Sequence, residues 1–141
     1  MRRLLDQHTA LIFTMMLISA AEGDMADSES DTIGRIVRDL PAFQDFDAER
    51  LPEVWRECSQ LLYDLLRQDD GADVACEMIA EGLHQTLRET AYLLGFEVAA
   101  ADGSLASEER NLLEILRERL NIDRLTAAAI EHTTYVRHAV V

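Results

Sequence analysis

Seven carboxylates crowd two short turns of this chain. Glu22, Asp24, Asp27 and Glu29 surround the first, and Asp102, Glu108 and Glu109 surround the second. Oxygen ligands in that number suit a hard divalent cation, which takes about six to eight of them in the case of calcium. Crowded carboxylates also repel one another, and a cation relieves the repulsion. The residue types do not choose among Ca²⁺, Mg²⁺, Mn²⁺ and Zn²⁺. The same acids have a second use that needs no metal, because Asp and Glu at the start of a helix cap its free N–H groups and complement its dipole. Neither turn has the ligand spacing of an EF-hand loop.

The turns are two copies of one pattern. Ala20-Ala21-Glu22-Gly23-Asp24-Met25-Ala26 recurs as Ala100-Ala101-Asp102-Gly103-Ser104-Leu105-Ala106, 80 residues later. The offset holds on both sides: Ile18 matches Val98, Glu29 matches Glu109, Ile33 matches Leu113, Ile36 matches Leu116 and Leu40 matches Leu120. The copies are unequal in charge, since Ser104 stands where the first has Asp24. A shared, lopsided acidic patch is therefore expected in preference to two matched sites.

Apolar residues repeat with helical spacing almost throughout. A first helix is expected from about Arg3 to Glu22; it is apolar on nearly every side between Leu11 and Ile18, which suits a central, buried position. Gly23 should stop it, and a second helix should run from Asp27 to Asp39. Phe43 and Phe46 follow in a loop and should plug the core. Asp47 can cap a third helix, which Pro52 should divide into an initial turn and a main body reaching about Gln68. A fourth helix is expected over Asp73–Glu81 and a fifth over Gln85–Ala101. A sixth should begin at a Ser107 cap, and a seventh should span Arg124–Arg137. The expected fold is all-α, a single domain over residues 1–141. Two hairpins, about 4–40 and 84–120, would be related by a pseudo-twofold axis, with the other helices packed around them.

Other residues offer less chemistry. Glu97 lies between Phe96 and Val98 where its counterpart is Leu17, so it should be paired, with Arg88 or Arg35, or else join the acidic site or face solvent. Cys58 and Cys76 are the only cysteines, sit in helical segments without metal-ligand spacing, and are expected to be buried thiols. His8, His84, His132 and His138 are scattered. Glu81 and His84 have di-iron spacing but occur once, across a helix break. No phosphate loop or nucleophile elbow is present, so no catalytic residue, no organic cofactor and no enzymatic activity is expected.

Composition narrows the partners. With 27 acids against 13 arginines and no lysine, the formal charge is −14, which argues against nucleic acid and against an anionic membrane surface. A cation or a basic protein partner fits better. The oligomeric state stays open. An apolar content of 48% is too high for a disordered chain. The run from Ala10 to Ala21 is too short for a membrane span. It is also expected not to be a cleaved leader, because its twin lies mid-chain.

The segment from Ala99 to Glu109, leading into Leu112-Leu113-Glu114-Ile115-Leu116, resembles the signature of the TerB (tellurite resistance) family. Ser19 to Met25 resembles that family's first hairpin, and Arg88-Glu89-Thr90-Ala91 also fits. The likeness covers the chain from about Leu4 to about Ile130. It implies an all-helical, cytoplasmic bacterial protein with an internal duplication, connected with tellurite and chemical-stress responses. It also implies a divalent-metal role for acids at the hairpin turns, and relatives that occur beside membrane-linked or chaperone modules. Glu22 departs from the Asp expected at the first turn.

Overall fold

A computed structural model describes residues 4–22, 27–101 and 105–141. Among these residues there are seven α-helices and no strand. They are α1 (Gln7–Ser19), α2 (Asp27–Asp39), α3 (Leu51–Leu66), α4 (Gly71–Gly82), α5 (Gln85–Ala99), α6 (Ser107–Arg119) and α7 (Arg124–Arg137). Short 3₁₀ turns cover Ala20–Glu22, Pro41–Phe43 and Ala48–Arg50.

Helix α1 is the axis of the molecule. Every residue from Thr9 to Ser19 is buried. An all-apolar surface of this kind needs neighbours on every side, and α2, α3, α4, α5 and α6 supply them, α5 most extensively. The fully buried Thr14 hydroxyl is satisfied locally, donating to the Ala10 carbonyl at 2.7 Å. The helix starts later than its apolar pattern suggests because Asp6 caps it: Asp6 Oδ1 accepts from the Thr9 amide at 2.9 Å.

The 80-residue offset reappears in the helix boundaries. Helices α1 and α5 end at matching residues, Ser19 and Ala99, while α2 and α6 match at both ends. The contacts are reciprocal: α2 reaches across to α5, and α6 reaches across to α1 and to the 3₁₀ turn that follows it. Helix α3 then covers α1, and α7 covers α5. Helix α4 bridges the copies, tied to α6 where Arg119 Nη2 meets Asp73 Oδ1 at 2.6 Å.

Several local expectations hold. Pro52 sits at the start of α3 behind a separate 3₁₀ turn capped by Asp47. Phe43 is buried in its own 3₁₀ turn, packed with Phe46 and stacked beside His8. Both cysteines are buried, and neither is in a disulfide. The Ser107 cap is corrected: the capping residue is Ala106, and Ser107 is the first residue of α6. An alanine has no acceptor to offer, so Glu109 closes the helix start from the other side. Where α6 ends, Asn121 takes a positive φ of 57°. The Asn121 and Ile122 amides then donate back to the carbonyls of Glu118 and Arg117, a Schellman ending that turns the buried Ile122 into the core. The glycine stops proposed at Gly23 and Gly103 lie outside the described residues.

Candidate functional site

The turn acids divide into two kinds. Asp27, the first residue of α2, and Glu108, in the first turn of α6, are exposed. Glu29 and Glu109, which are repeat partners, are buried, at 5% and 2% exposure. Glu109 Oε1 accepts from the Ala106 amide at 3.1 Å, satisfying one of the donors that a helix start leaves open. Asp24, Asp102 and the side chain of Glu22 lie outside the described residues. Among those described, no group of three or more His, Cys, Asp or Glu is gathered so as to hold a metal ion. The first turn does lie close to the second hairpin, because Ala20–Glu22 packs against α6.

Glu97 is a structural pair, with partners that periodicity could not name. Its carboxylate accepts from Arg137 Nε at 2.8 Å and lies 3.1 Å from His138 Nε2. The two expected partners are engaged elsewhere. Arg88 donates to the Ala80 and Leu83 carbonyls, and Arg35 reaches Thr32. Glu97 thus fastens the end of α7 to α5. His84 stands at the N-cap of α5 in extended backbone, and its amide donates to Gln7 Oε1.

A broad concavity lies on the first copy. A groove of about 630 Å³ runs between α1, the start of α2 and the length of α3. Met16 and Ala20 border it from the α1 side, and Asp27 and Ser30 from α2. Helix α3 supplies Trp55, Ser59, Leu62, Tyr63 and Leu66, with Arg67 just beyond its end. Tyr63 and Leu66 are exposed at 63% and 45%. The Arg67 guanidinium lies over the Tyr63 ring, 5.3 Å from its centroid. Sequence reasoning missed this groove; its only visible signal was a pair of apolar residues, Tyr63 and Leu66, one turn apart at the end of an amphipathic helix.

The family model for tellurite resistance protein TerB matches residues 8–132. The chain belongs to the TerB family. The matched span takes in both hairpins, both acidic turns and the groove, and leaves out the Arg137–His138 end of α7. No curated protein and no solved structure matches the chain. No helix among the described residues is long and apolar enough to cross a membrane.

Proposed function

We propose that this TerB-family protein is a non-enzymatic interaction module of the tellurite or chemical-stress response in the cytoplasm, working through an acidic surface at the two hairpin turns that takes up a divalent cation. The observation that carries this reading is the family match, which spans both turns. The net charge of −14 favours a cation or a basic partner over nucleic acid. The packing of the first turn against α6 favours one patch shared between the copies.

A second reading has its own support. The Glu109 carboxylate is already committed to the Ala106 amide, which favours acids that serve as caps in a metal-free helical scaffold. Calorimetric titration of metal-stripped protein with Ca²⁺, Mg²⁺, Mn²⁺ and Zn²⁺ separates the two. The cation reading expects saturable binding that weakens at least tenfold in Asp24→Asn and Asp102→Asn. Absence of heat and of thermal stabilisation with all four ions refutes it and leaves the scaffold.

A further inference from the structure

Helix α7 is apolar on two sides. Ala127 and Thr134 are buried against the rest of the fold, where α7 packs chiefly on α5. The opposite side is exposed, with Leu125 at 83% and Val136 at 62%, and Ala129 and His132 between them. These four residues are spaced by four, three and four positions, the rhythm of a coiled-coil seam. The residues that flank such a seam are Thr126, Ala128, Thr133 and Tyr135, and none is charged. The one carboxylate of α7, Glu131, is half-buried and lines the small cavity beside Tyr92.

The rest of the surface is different. Each helix from α2 to α6 exposes at least one carboxylate, among them Asp31, Glu53, Glu77, Glu89 and Glu114. The exposed side of α7 carries none. Residues 124–141 hold two of the 13 arginines and one of the 27 acids, so this segment is net +1 while residues 1–123 carry −15. Five of the eight exposed large apolar residues among those described also fall in it: Leu125, Tyr135, Val136, Val140 and Val141. Apolar exposure is therefore concentrated where the acidic charge is absent.

Two features select the occupant. The first is charge. Molecules of −14 repel one another across most of their surfaces, and a second copy approaches most readily where carboxylates are absent. The second is symmetry. The four-three-four spacing reads the same in both directions, so an antiparallel copy sets Leu125 against Val136 and Ala129 against His132, twice about a twofold axis. The His132 ring then covers the small Ala129. A helix of 14 residues is about 21 Å long and about 10–12 Å across, so the pair would bury on the order of 1,000 Å² in total, the lower bound for a specific interface. That area suits a micromolar dimer and not a permanent one.

We propose that the exposed side of α7 is a self-association face, on which a second copy of the chain docks with its own α7 antiparallel. This goes beyond the reading of the acidic turns and requires no cation.

Sedimentation equilibrium of the full chain, in buffer containing a chelator and from low micromolar to millimolar concentration, tests it. The expected result is a monomer–dimer equilibrium with a micromolar dissociation constant. It should tighten as salt is added, because salt screens the repulsion between acidic molecules and leaves an uncharged seam untouched. Ala129→Glu, which sets a carboxylate in the middle of the seam, should weaken the dimer at least tenfold with helix content unchanged. Should that variant lose helix, Leu125→Glu, at an exposed position in the first turn where an acid suits the helix dipole, should give the same loss. Direction is read by oxidation: Leu125→Cys mixed with Val136→Cys should form a disulfide-linked dimer, whereas each alone should not, and the native Cys58 and Cys76 are buried. A chain that stays monomeric at millimolar concentration overturns the proposal and leaves the seam to a different partner. So does association that continues past the dimer, or a dimer indifferent to both Glu substitutions. Self-linking of each cysteine variant as fast as cross-linking overturns the antiparallel arrangement. Because no ion is present, failure here leaves the cation reading standing, and failure of the cation titration leaves this one.

Discussion

The Glu97 carboxylate and the Arg137 guanidinium meet at 2.8 Å across 40 residues of sequence. Glu97 is largely enclosed, with its side chain 13% exposed, whereas Arg137 is 63% exposed. The acid is the anchored partner and the arginine folds down onto it, with His138 on the other carboxylate oxygen at 3.1 Å. Helix α7 packs chiefly on α5, so this contact is its terminal fastening. Glu97→Ala should therefore loosen the end of α7 and cost about 1 kcal/mol, the scale of a partly solvated charged hydrogen bond. Hydrogen exchange should show faster opening at Thr134–His138 with α1 unchanged. Uniform acceleration across all seven helices would mean that Glu97 supports the whole core instead.

The cap of α1 makes acid sensitivity predictable. Burial pushes the Asp6 carboxyl up, but the hydrogen bonds from Thr9, with help from Arg50 and His8, outweigh it and hold the group below its ordinary 3.8. A carboxylate with a depressed folded value stabilises the fold above its unfolded value and loses that contribution as pH falls. The cap should thus be intact above about pH 4 and fade below it. Asp6→Ala should cost about 1 kcal/mol at neutral pH. Asp6→Asn should retain most of the stability and flatten the acid limb of the denaturation curve. An unchanged acid limb in Asp6→Asn would rule this contribution out.

How far the residues alone reveal the fold depends on the range of the interaction. The limits of α2 and α7 are legible because each is local: an acid opens the helix and the amphipathic run ends within it. Helix α4 starts at Gly71, ahead of the expected Asp73, because tertiary packing there overrides glycine's weak helix propensity. The partner of Glu97 was not legible, since nothing periodic links positions 97 and 137. The groove was not legible either, since it depends on how α1, α2 and α3 lie against one another. The acidic turns were found at once, yet the distinction between buried Glu29 and Glu109 and exposed Asp27 and Glu108 needed the helix orientation.

Gly71 tests that packing. A Cβ at this position would overlap the Leu65 carbonyl oxygen, and backbone cannot swing aside as a side-chain tip can. Gly71→Ala should consequently destabilise by about 1–3 kcal/mol despite alanine's better helix propensity. Chemical denaturation with an unchanged m-value should show it. Gly34→Ala is the contrasting control: its added carbon meets only the end of the Arg38 side chain at 3.4 Å, so this change should be neutral or mildly stabilising.

Glu109 separates capping from ligation. Its Oε1 atom accepts from the Ala106 amide at 3.1 Å while the residue is 2% exposed. Glu109→Gln keeps a carbonyl acceptor of the same reach, whereas Glu109→Ala removes it and leaves a cavity. If capping is its role, Gln should cost little and Ala about 1–2 kcal/mol in denaturant titrations. A Gln variant as unstable as Ala would show that the negative charge itself is required.

Cys76 should be inert in the folded protein. Burial pushes its thiol up to about 12, Asp73 pushes in the same direction, and Arg119 opposes them only in part. The thiolate is the reactive form, so at neutral pH almost none is present. The residue is also fully enclosed, at 0% exposure, and Cys58 is at 1%. Both thiols should resist an aromatic disulfide reagent in native buffer and react together, at the rate of global unfolding, when denaturant is added. The sign for pH follows from the raised value: the neutral thiol contributes stability below the unfolded value of 9.0, and that contribution is lost as pH climbs from there toward 12. Cys76→Ala should flatten this alkaline limb while losing about 1 kcal/mol at neutral pH through the cavity it leaves. Rapid labelling of Cys76 in the native protein would instead require helix α4 to open locally, independently of α1.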